Sequence, residues 1–389
     1  MTFTKRLVYL DNAATTKPHP KVVEKMVKYL TVDFGNPSSV HNLGSRTRNA
    51  IEEARELIAD ELNADSGEIY FTSGGTEADN FTIRGLALAV SKETNKNEII
   101  SSGLEHHAVL DSIKFLEKFG FSYKQVPSSS DGSIDVRGYR GILRNDTLLV
   151  SFMHINNEIG VVNDISKLNE IAKEEGIFTH SDCVQSFGKY KIDVKKMNLD
   201  LLCASAHKIN GPKGIGIAYV KSGTPIAPLL VGGSQERNRR GGTENVAGII
   251  GFAEALKIFK ENRESYFSHV QSIKEHLSIG LKSFEGIFIN GNSNTSPYVL
   301  SITLNPEIYK ADTESMLVYL DINGIAASAG SACMSGSIKP SHVIKGLGKS
   351  DEYAKCTIRF SFDSSTTIND IDYTLEVLNK LLYQLKRKN

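Results

Sequence analysis

The sequence predicts an α/β fold, with a mainly parallel sheet under helices in a large domain and a smaller α+β domain after it. Three observations predict it. Strand-like and helix-like segments alternate through the first two-thirds of the 389 residues, as successive βαβ units do. The glycine-rich and polar motifs stand just after strand-like runs, where the ligand loops of such a sheet collect. Near residues 245–284 the pattern turns long and helical, and the chain beyond it starts a new set of strands.

In order, residues 45–64 read as an amphipathic helix, with Ile51, Ala54, Ile58 and Leu62 on one stripe. Residues 68–73 (EIYFTS) are strand-like, and Gly74-Gly75 turns the chain into a helix from about Thr76. A strand at 98–102, a helix at 108–119 and a strand at 122–126 follow. Next come a strand at 148–153, a helix at 165–175 and a strand at 177–181. Past the long helix, strands are expected at 298–304 and 356–362. A closing helix at 370–385 repeats Ile371, Leu375, Leu378, Leu382 and Leu385 at helical spacing, a packing face. The division near residue 265 gives a large domain of residues 16–265. Residues 1–15 and 266–389 form the small one.

Composition narrows the function. Lys plus Arg and Asp plus Glu both total 45, so no net field points to nucleic acid or to an acidic membrane. No signal peptide and no membrane-length apolar run is visible. Cys183, Cys203, Cys333 and Cys356 are far apart and form no CxxC pair. Neither a disulfide framework nor a metal site is expected, and a reducing cytoplasm fits. A cysteine that matters here would matter through its reactivity.

Three features converge on a pyridoxal phosphate site. Lys208 lies in SAHK, after the apolar run 199–204 and before Gly211-Pro212-Lys213-Gly214, so its amine can meet a cofactor aldehyde from a tight turn. Taken singly, it reads more readily as an exposed loop lysine. Asp182 ends the strand at 177–181, where a buried carboxylate can keep a pyridine nitrogen protonated. Without the lysine it reads more readily as a helix N-cap or a surface acid. Thr72-Ser73-Gly74-Gly75-Thr76-Glu77 joins strand to helix with exposed backbone N–H groups, a setting for a phosphate. A lone Gly-Gly is otherwise just a turn, and this is not the GxxxxGK[ST] pattern of nucleotide triphosphate sites.

With these motifs in order, the chain resembles the cysteine desulfurases of iron–sulfur cluster assembly, class-V aminotransferases of pyridoxal phosphate fold type I. The resemblance runs nearly end to end: YLDNAATT (9–16), GNPSSVH (35–41), TSGGTEADN (72–80), EHHAVLD (105–111) and NNEIGV (156–161). It continues through SDCVQSFGK (181–189), SAHKINGPKGIG (205–216), GGSQERNRRGGTEN (232–245), SAGSACMS (328–335) and RFS (359–361).

The resemblance implies a role for each matching residue. Lys208 would carry the cofactor and move the substrate Cα proton, and Asp182 would hold the ring nitrogen. Gln185 would bond the ring hydroxyl, and His106 would stack on the ring and assist proton transfer. Gly75, Thr76, Ser205 and His207 would bind the phosphate, with Thr243 reaching the phosphate of a second subunit in a homodimer with shared sites. Asn157 and Arg359 would hold the carboxylate of L-cysteine. Cys333, in the small-residue run 326–337, would take the sulfur as a persulfide and pass it to an acceptor protein such as an iron–sulfur scaffold, or to a small thiol. The alternative is a selenocysteine lyase or another class-V pyridoxal phosphate enzyme. His41, His107 and His342 receive no role. Two departures stand out: Gly75 where alanine is usual, a change a phosphate turn should tolerate, and FSFDSS (360–365) where FSLG is commoner.

Overall fold

A computed structural model describes residues 6–90, 94–330 and 339–387. A short first strand, β1 (Val8–Tyr9), precedes the main sheet. That sheet is built from β2 (Ile69–Thr72), β3 (Glu98–Ser102), β4 (Ser122–Val126), β5 (Thr147–Ser151), β6 (Phe178–Asp182), β7 (Leu201–Ser205) and β8 (Gly216–Val220). Their order across the sheet is β2-β8-β7-β6-β5-β3-β4. Pairings from β7 through β4 are parallel, whereas β8 runs antiparallel to both its neighbours. Two reversals in succession return β2 to the direction of β7. The carboxyl ends of β2, β3, β5, β6 and β7 therefore share one edge. The strands of this sheet are buried along most of their length, β4 being the exposed edge strand, as expected where helices cover both faces.

Gly216 shows how tightly that edge is packed. A Cβ there would lie 2.6 Å from Ala204 O and 2.7 Å from Gly74 Cα, so only glycine lets β8 begin between β7 and the turn after β2.

The small domain contains β9 (Ile287–Asn290), β10 (Val299–Leu304), β11 (Ile325–Ala326) and β12 (Thr357–Ser361). β10 is the centre of an antiparallel sheet between β9 and β12, and β11 pairs in parallel with β1. β1 thus packs with the C-terminal strands rather than with the main sheet. The helix Val246–Leu281 serves both cores. Ile249, Phe252, Leu256 and Phe259 pack into the large-domain core, while Val270, Ile273, Leu277 and Leu281 pack with Val8, Leu300, Phe360 and Leu378. Phe252 is wholly buried against Phe187, with ring centroids 5.6 Å apart. Phe252→Ala should cost about 3–5 kcal/mol of stability; a denaturant titration showing less than about 1 kcal/mol would mean the cavity refills.

The sequence anticipates the long helix and the strands on the parallel side closely. It does not foresee β8, whose Gly-flanked run follows β7 through only a short loop, nor the short β1, β9 and β11. Short strands carry too few residues for a period to show.

Candidate active site

The site lies along the shared edge, where loops from four strands meet the N-terminal segment. β7 ends at Ser205 and turns through one 3-10 turn, Ala206–Lys208, which aims Lys208 back across the edge. Its Nζ donates to the carbonyls of Ala13 and Ala14, both at 2.7 Å. Gln185 Nε2 reaches the same Ala13 oxygen at 2.9 Å. Burial first, then the positive charges of Arg359 and Lys189, push the Lys208 amine down from 10.5 to about 7.

A lysine near 7 is a nucleophile at neutral pH; one near 10.5 is almost all ammonium. Because the neutral amine is the reactive form, cofactor capture by the cofactor-free protein should accelerate as pH rises and level off above about 7. Stopped-flow absorbance at a series of pH values reads this, and a midpoint near 10 would refute it.

Asp182 closes β6, one strand away. It is buried, accepts one bond from the Val184 N–H at 2.8 Å, and forms no ion pair among the described residues. Burial raises its pKa, opposed mainly by the charge of His106. A desolvated carboxylate left without a cation is costly and is stabilised by any buried positive group placed against it. His106 caps the helix His107–Leu116, its Nδ1 accepting from Ala108 N at 3.1 Å. The ring is exposed on the cleft wall, yet desolvation still lowers its pKa.

The turn expected to cradle the phosphate lies where β2 passes through Ser73-Gly74 into the helix that begins at Gly75. Ser205 lies beside it: a Cβ on Gly75 would stand 3.9 Å from Ser205 Cβ. The same Cβ would stand 2.7 Å from Val184 Cγ2, closer than carbon atoms approach. Gly75 is therefore not a neutral exchange for alanine in this chain, because Val184 occupies the space, and a β-branched side chain turns aside reluctantly. Gly75→Ala should weaken cofactor binding about tenfold or more, at the usual cost of overpacking. Gly75→Ala with Val184→Ala should restore it, as equilibrium dialysis would show; equal binding by Gly75→Ala and the parent would remove Val184 as the cause.

Thr76 and Thr243 are both exposed. His207 Nδ1 bonds Thr15 Oγ1 at 3.1 Å, and burial with nearby lysines pushes its pKa down to about 3, so it faces the site as a neutral ring.

Arg359, on β12, is almost wholly buried. Its Nη1 donates to the carbonyls of Asn157 (2.9 Å) and Gly330 (3.2 Å), and its Nη2 to Asp11 Oδ1 (2.9 Å) and Ser328 Oγ (3.1 Å). Its Nε has no partner among the described residues. The sequence reading placed Asn157 and Arg359 together but missed Asp11. That partner lies 348 residues away in the chain, so no local signal marks it. Cys333 lies outside the described residues. Of the histidines given no role, His41 caps the helix Asn42–Leu62, and His342 Nε2 bonds the Glu105 carbonyl at 2.9 Å.

The comparisons with known proteins decide the family. The aminotransferase class-V model matches residues 8–374. A cysteine desulfurase IscS of Dictyoglomus turgidum is 44% identical over 384 residues, covering 98% of this chain and 96% of that protein. This chain belongs to the class-V aminotransferases, in their cysteine desulfurase branch. Among solved structures, a NifS-like protein superposes with a TM-score of 0.91 at 34% identity, over 98% of this chain and all of the other. SspA in complex with cysteine superposes at 0.81 with 33% identity, over 92% of this chain and all of the other. Class-V enzymes depend on pyridoxal phosphate, and this chain's residues fit that group. A buried carboxylate with no ion pair among the described residues suits a protonated ring nitrogen, a lysine near 7 suits an aldehyde, and a glycine turn beside Ser205 suits a phosphate.

Proposed function

We propose that the protein is a pyridoxal phosphate-dependent cysteine desulfurase that converts L-cysteine to L-alanine and carries the sulfur on Cys333. One observation carries this reading: a lysine amine near 7 and a buried carboxylate, without an ion pair among the described residues, at the ends of adjacent strands, β7 and β6. Bound between them, pyridoxal phosphate supplies an aldehyde for the substrate amine and a ring that accepts the electrons released at Cα. Lys208, neutral at working pH, takes the Cα proton. Asp182 would hold the ring nitrogen with its negative charge, and His106 would stack on the ring. The Gly74-Gly75 turn, Thr76, Ser205 and His207 would hold the phosphate. Gln185 would bond the ring hydroxyl. Arg359 and Asn157 would orient the substrate carboxylate.

Sulfur transfer then needs a thiolate that is not locked in the core. Cys183, Cys203 and Cys356 are buried, and burial raises each thiol's pKa, that of Cys183 to about 12. None of these three is a thiolate at neutral pH. This supports Cys333 as the carrier. Its thiolate attacks the substrate sulfur: an S–S bond forms and the Cβ–S bond breaks. The electron pair of that bond stays on carbon, a proton returned from the site completes the methyl group, and alanine leaves. The persulfide on Cys333 then passes its terminal sulfur to an acceptor, an iron–sulfur scaffold protein or a small thiol.

The active assembly in this reading is a homodimer with shared sites, Thr243 of each subunit completing the other's phosphate cradle. The helix Pro20–Thr31 supports it, since it leaves Val23, Val27 and Leu30 exposed along one stripe, with Phe34 and Val40 just beyond. No described helix is long and apolar enough to cross a membrane.

Turnover of L-cysteine carrying labelled sulfur tests the reading. Alanine should form, and the label should sit on the peptide containing Cys333, removable by a reducing thiol. Cys333→Ser should keep the cofactor's absorbance and take no label. Keto acid-dependent transamination without alanine and sulfide release would reassign the enzyme within its family.

A further inference from the structure

The loop between β8 and the long helix lies along β2, and the mechanism above takes only Thr243 from it. β2 ends the sheet, so one of its sides has no neighbouring strand, and side chains take up its main-chain groups instead. Glu236 Oε2 accepts from Phe71 N–H at 2.8 Å. The Ile69 carbonyl accepts from Arg55 Nη1 at 2.9 Å and from Arg237 Nη2. Arg55, on the helix Asn42–Leu62, also grips Glu236 with two bonds, Nη1 to Oε2 and Nη2 to Oε1, both at 2.8 Å. Arg55 is 3% exposed and Glu236 6%, and the guanidinium stands 4.7 Å from the centroid of the Phe71 ring. Removing either partner of such a buried pair leaves the other charge uncompensated, so the pair is a fixed point for the loop.

At that point the backbone is strained. Glu236, Arg237 and Asn238 have φ of 43°, 55° and 62°, three successive residues with side chains in the left-handed region. Asparagine tolerates this conformation, whereas glutamate and arginine adopt it at a cost that their contacts must offset. Two residues beyond, Arg240 Nε donates to Glu77 Oε1 at 2.8 Å and its Nη2 to Glu77 Oε2 at 3.3 Å. Glu77 Oε2 also accepts from Ser73 N–H, at 3.0 Å. Ser73 and Glu77 flank Gly74, Gly75 and Thr76, so one carboxylate closes the turn expected to hold the phosphate. One guanidinium from the loop neutralises that carboxylate. Without Arg240, Glu77 would set an unpaired negative charge beside a phosphate that is itself an anion.

Resting on the cofactor reading above, we propose that Arg240, Glu77, Glu236 and Arg55 are positioning residues for the cofactor phosphate. Glu77 fixes the shape of the turn through the Ser73 N–H, and Arg240 cancels the charge of Glu77. The Arg55–Glu236 pair holds the strained loop that presents Arg240. None of the four has to touch the phosphate.

The test compares the affinities of pyridoxal phosphate and of pyridoxal, which lacks the phosphate, for the purified protein stripped of cofactor. The visible absorbance of the bound ligand reads both. Arg240→Gln should weaken pyridoxal phosphate about tenfold or more and leave pyridoxal within about twofold, because only the phosphate meets the unpaired Glu77. Arg240→Gln with Glu77→Gln should regain most of the loss, since an amide oxygen still accepts from Ser73 N–H and carries no charge. Glu236→Gln should weaken pyridoxal phosphate as Arg240→Gln does, again with pyridoxal unmoved. Equal losses for the two ligands in Arg240→Gln would show a general defect of the pocket and overturn the proposal. So would an unchanged affinity for pyridoxal phosphate, or a double variant no better than Arg240→Gln. A folded Glu236→Gln that binds like the parent would overturn the role of the buried pair. Should Glu236→Gln not fold, Glu236→Asp, which keeps the charge on a shorter side chain, takes its place. A parent protein that binds neither ligand would overturn the cofactor reading and this one with it. A parent that binds pyridoxal phosphate, with variants that match it, would overturn this one alone.

Discussion

Lys208→Ala is expected to lower L-cysteine turnover by at least about ten-thousand-fold, because in the proposed reaction one amine both holds the cofactor and moves the substrate proton. Its surroundings suit both tasks. The 3-10 turn after β7 fixes the direction of the side chain, and two backbone carbonyls anchor its amine. Burial with neighbouring positive charge brings its pKa to about 7, so the neutral form is plentiful where an ordinary lysine has almost none. Alanine at 208 removes every part of this. The check is alanine production by the cofactor-reconstituted variant, with borohydride reduction of the parent followed by peptide mass analysis. The reduced adduct should sit on the peptide containing Lys208. An adduct on another lysine, or more than about one per cent residual turnover, would displace Lys208 from its role.

Asp182→Asn is expected to cost about a thousandfold in kcat while leaving the fold as stable as the parent or more so. A carboxylate about 4 Å from a ring nitrogen, at an effective dielectric of about 20, contributes roughly 4 kcal/mol, equivalent to about three powers of ten in rate. The stability part follows from burial. Asp182 in the cofactor-free chain is a desolvated carboxylate with one backbone N–H donor and no ion pair among the described residues, so its charge is a burden on folding. Asparagine keeps an oxygen for the Val184 N–H and drops the charge. Steady-state kinetics and thermal melting of the cofactor-free protein read the two halves. A variant that loses activity and also melts well below the parent would show that Asp182 acts through the fold rather than through the ring.

Much of this site was legible in the sequence because its parts are local. Lys208 sits in a strand-end turn, Gly74-Gly75 in a strand-to-helix turn, and Asp182 at a strand terminus, and each such feature leaves its mark within a few residues. The resemblance across ten motifs supplied their order and pointed to a family the comparisons then showed. What stayed hidden involves partners brought together from distant parts of the chain. Gly75 looked like a harmless exchange until Val184 was found in the space an alanine would need. Arg359 is expected from the sequence to hold the substrate carboxylate, and Asp11 and Ser328 also share its guanidinium.

By itself, then, the sequence determined the alternation that makes an α/β sheet, the placing of a lysine, an acid and a glycine turn at strand ends, and the family. Periodicity and turn chemistry are properties of neighbouring residues, and they survive without a fold. Only the tertiary structure decided that β8 reverses direction so that β2 delivers its turn to the same edge, that burial brings Lys208 to about 7, and that Arg240 pairs with Glu77 just past the turn after β2. Direction, desolvation and cross-strand contact depend on which distant segments exclude water from one another, and a linear pattern does not carry that information.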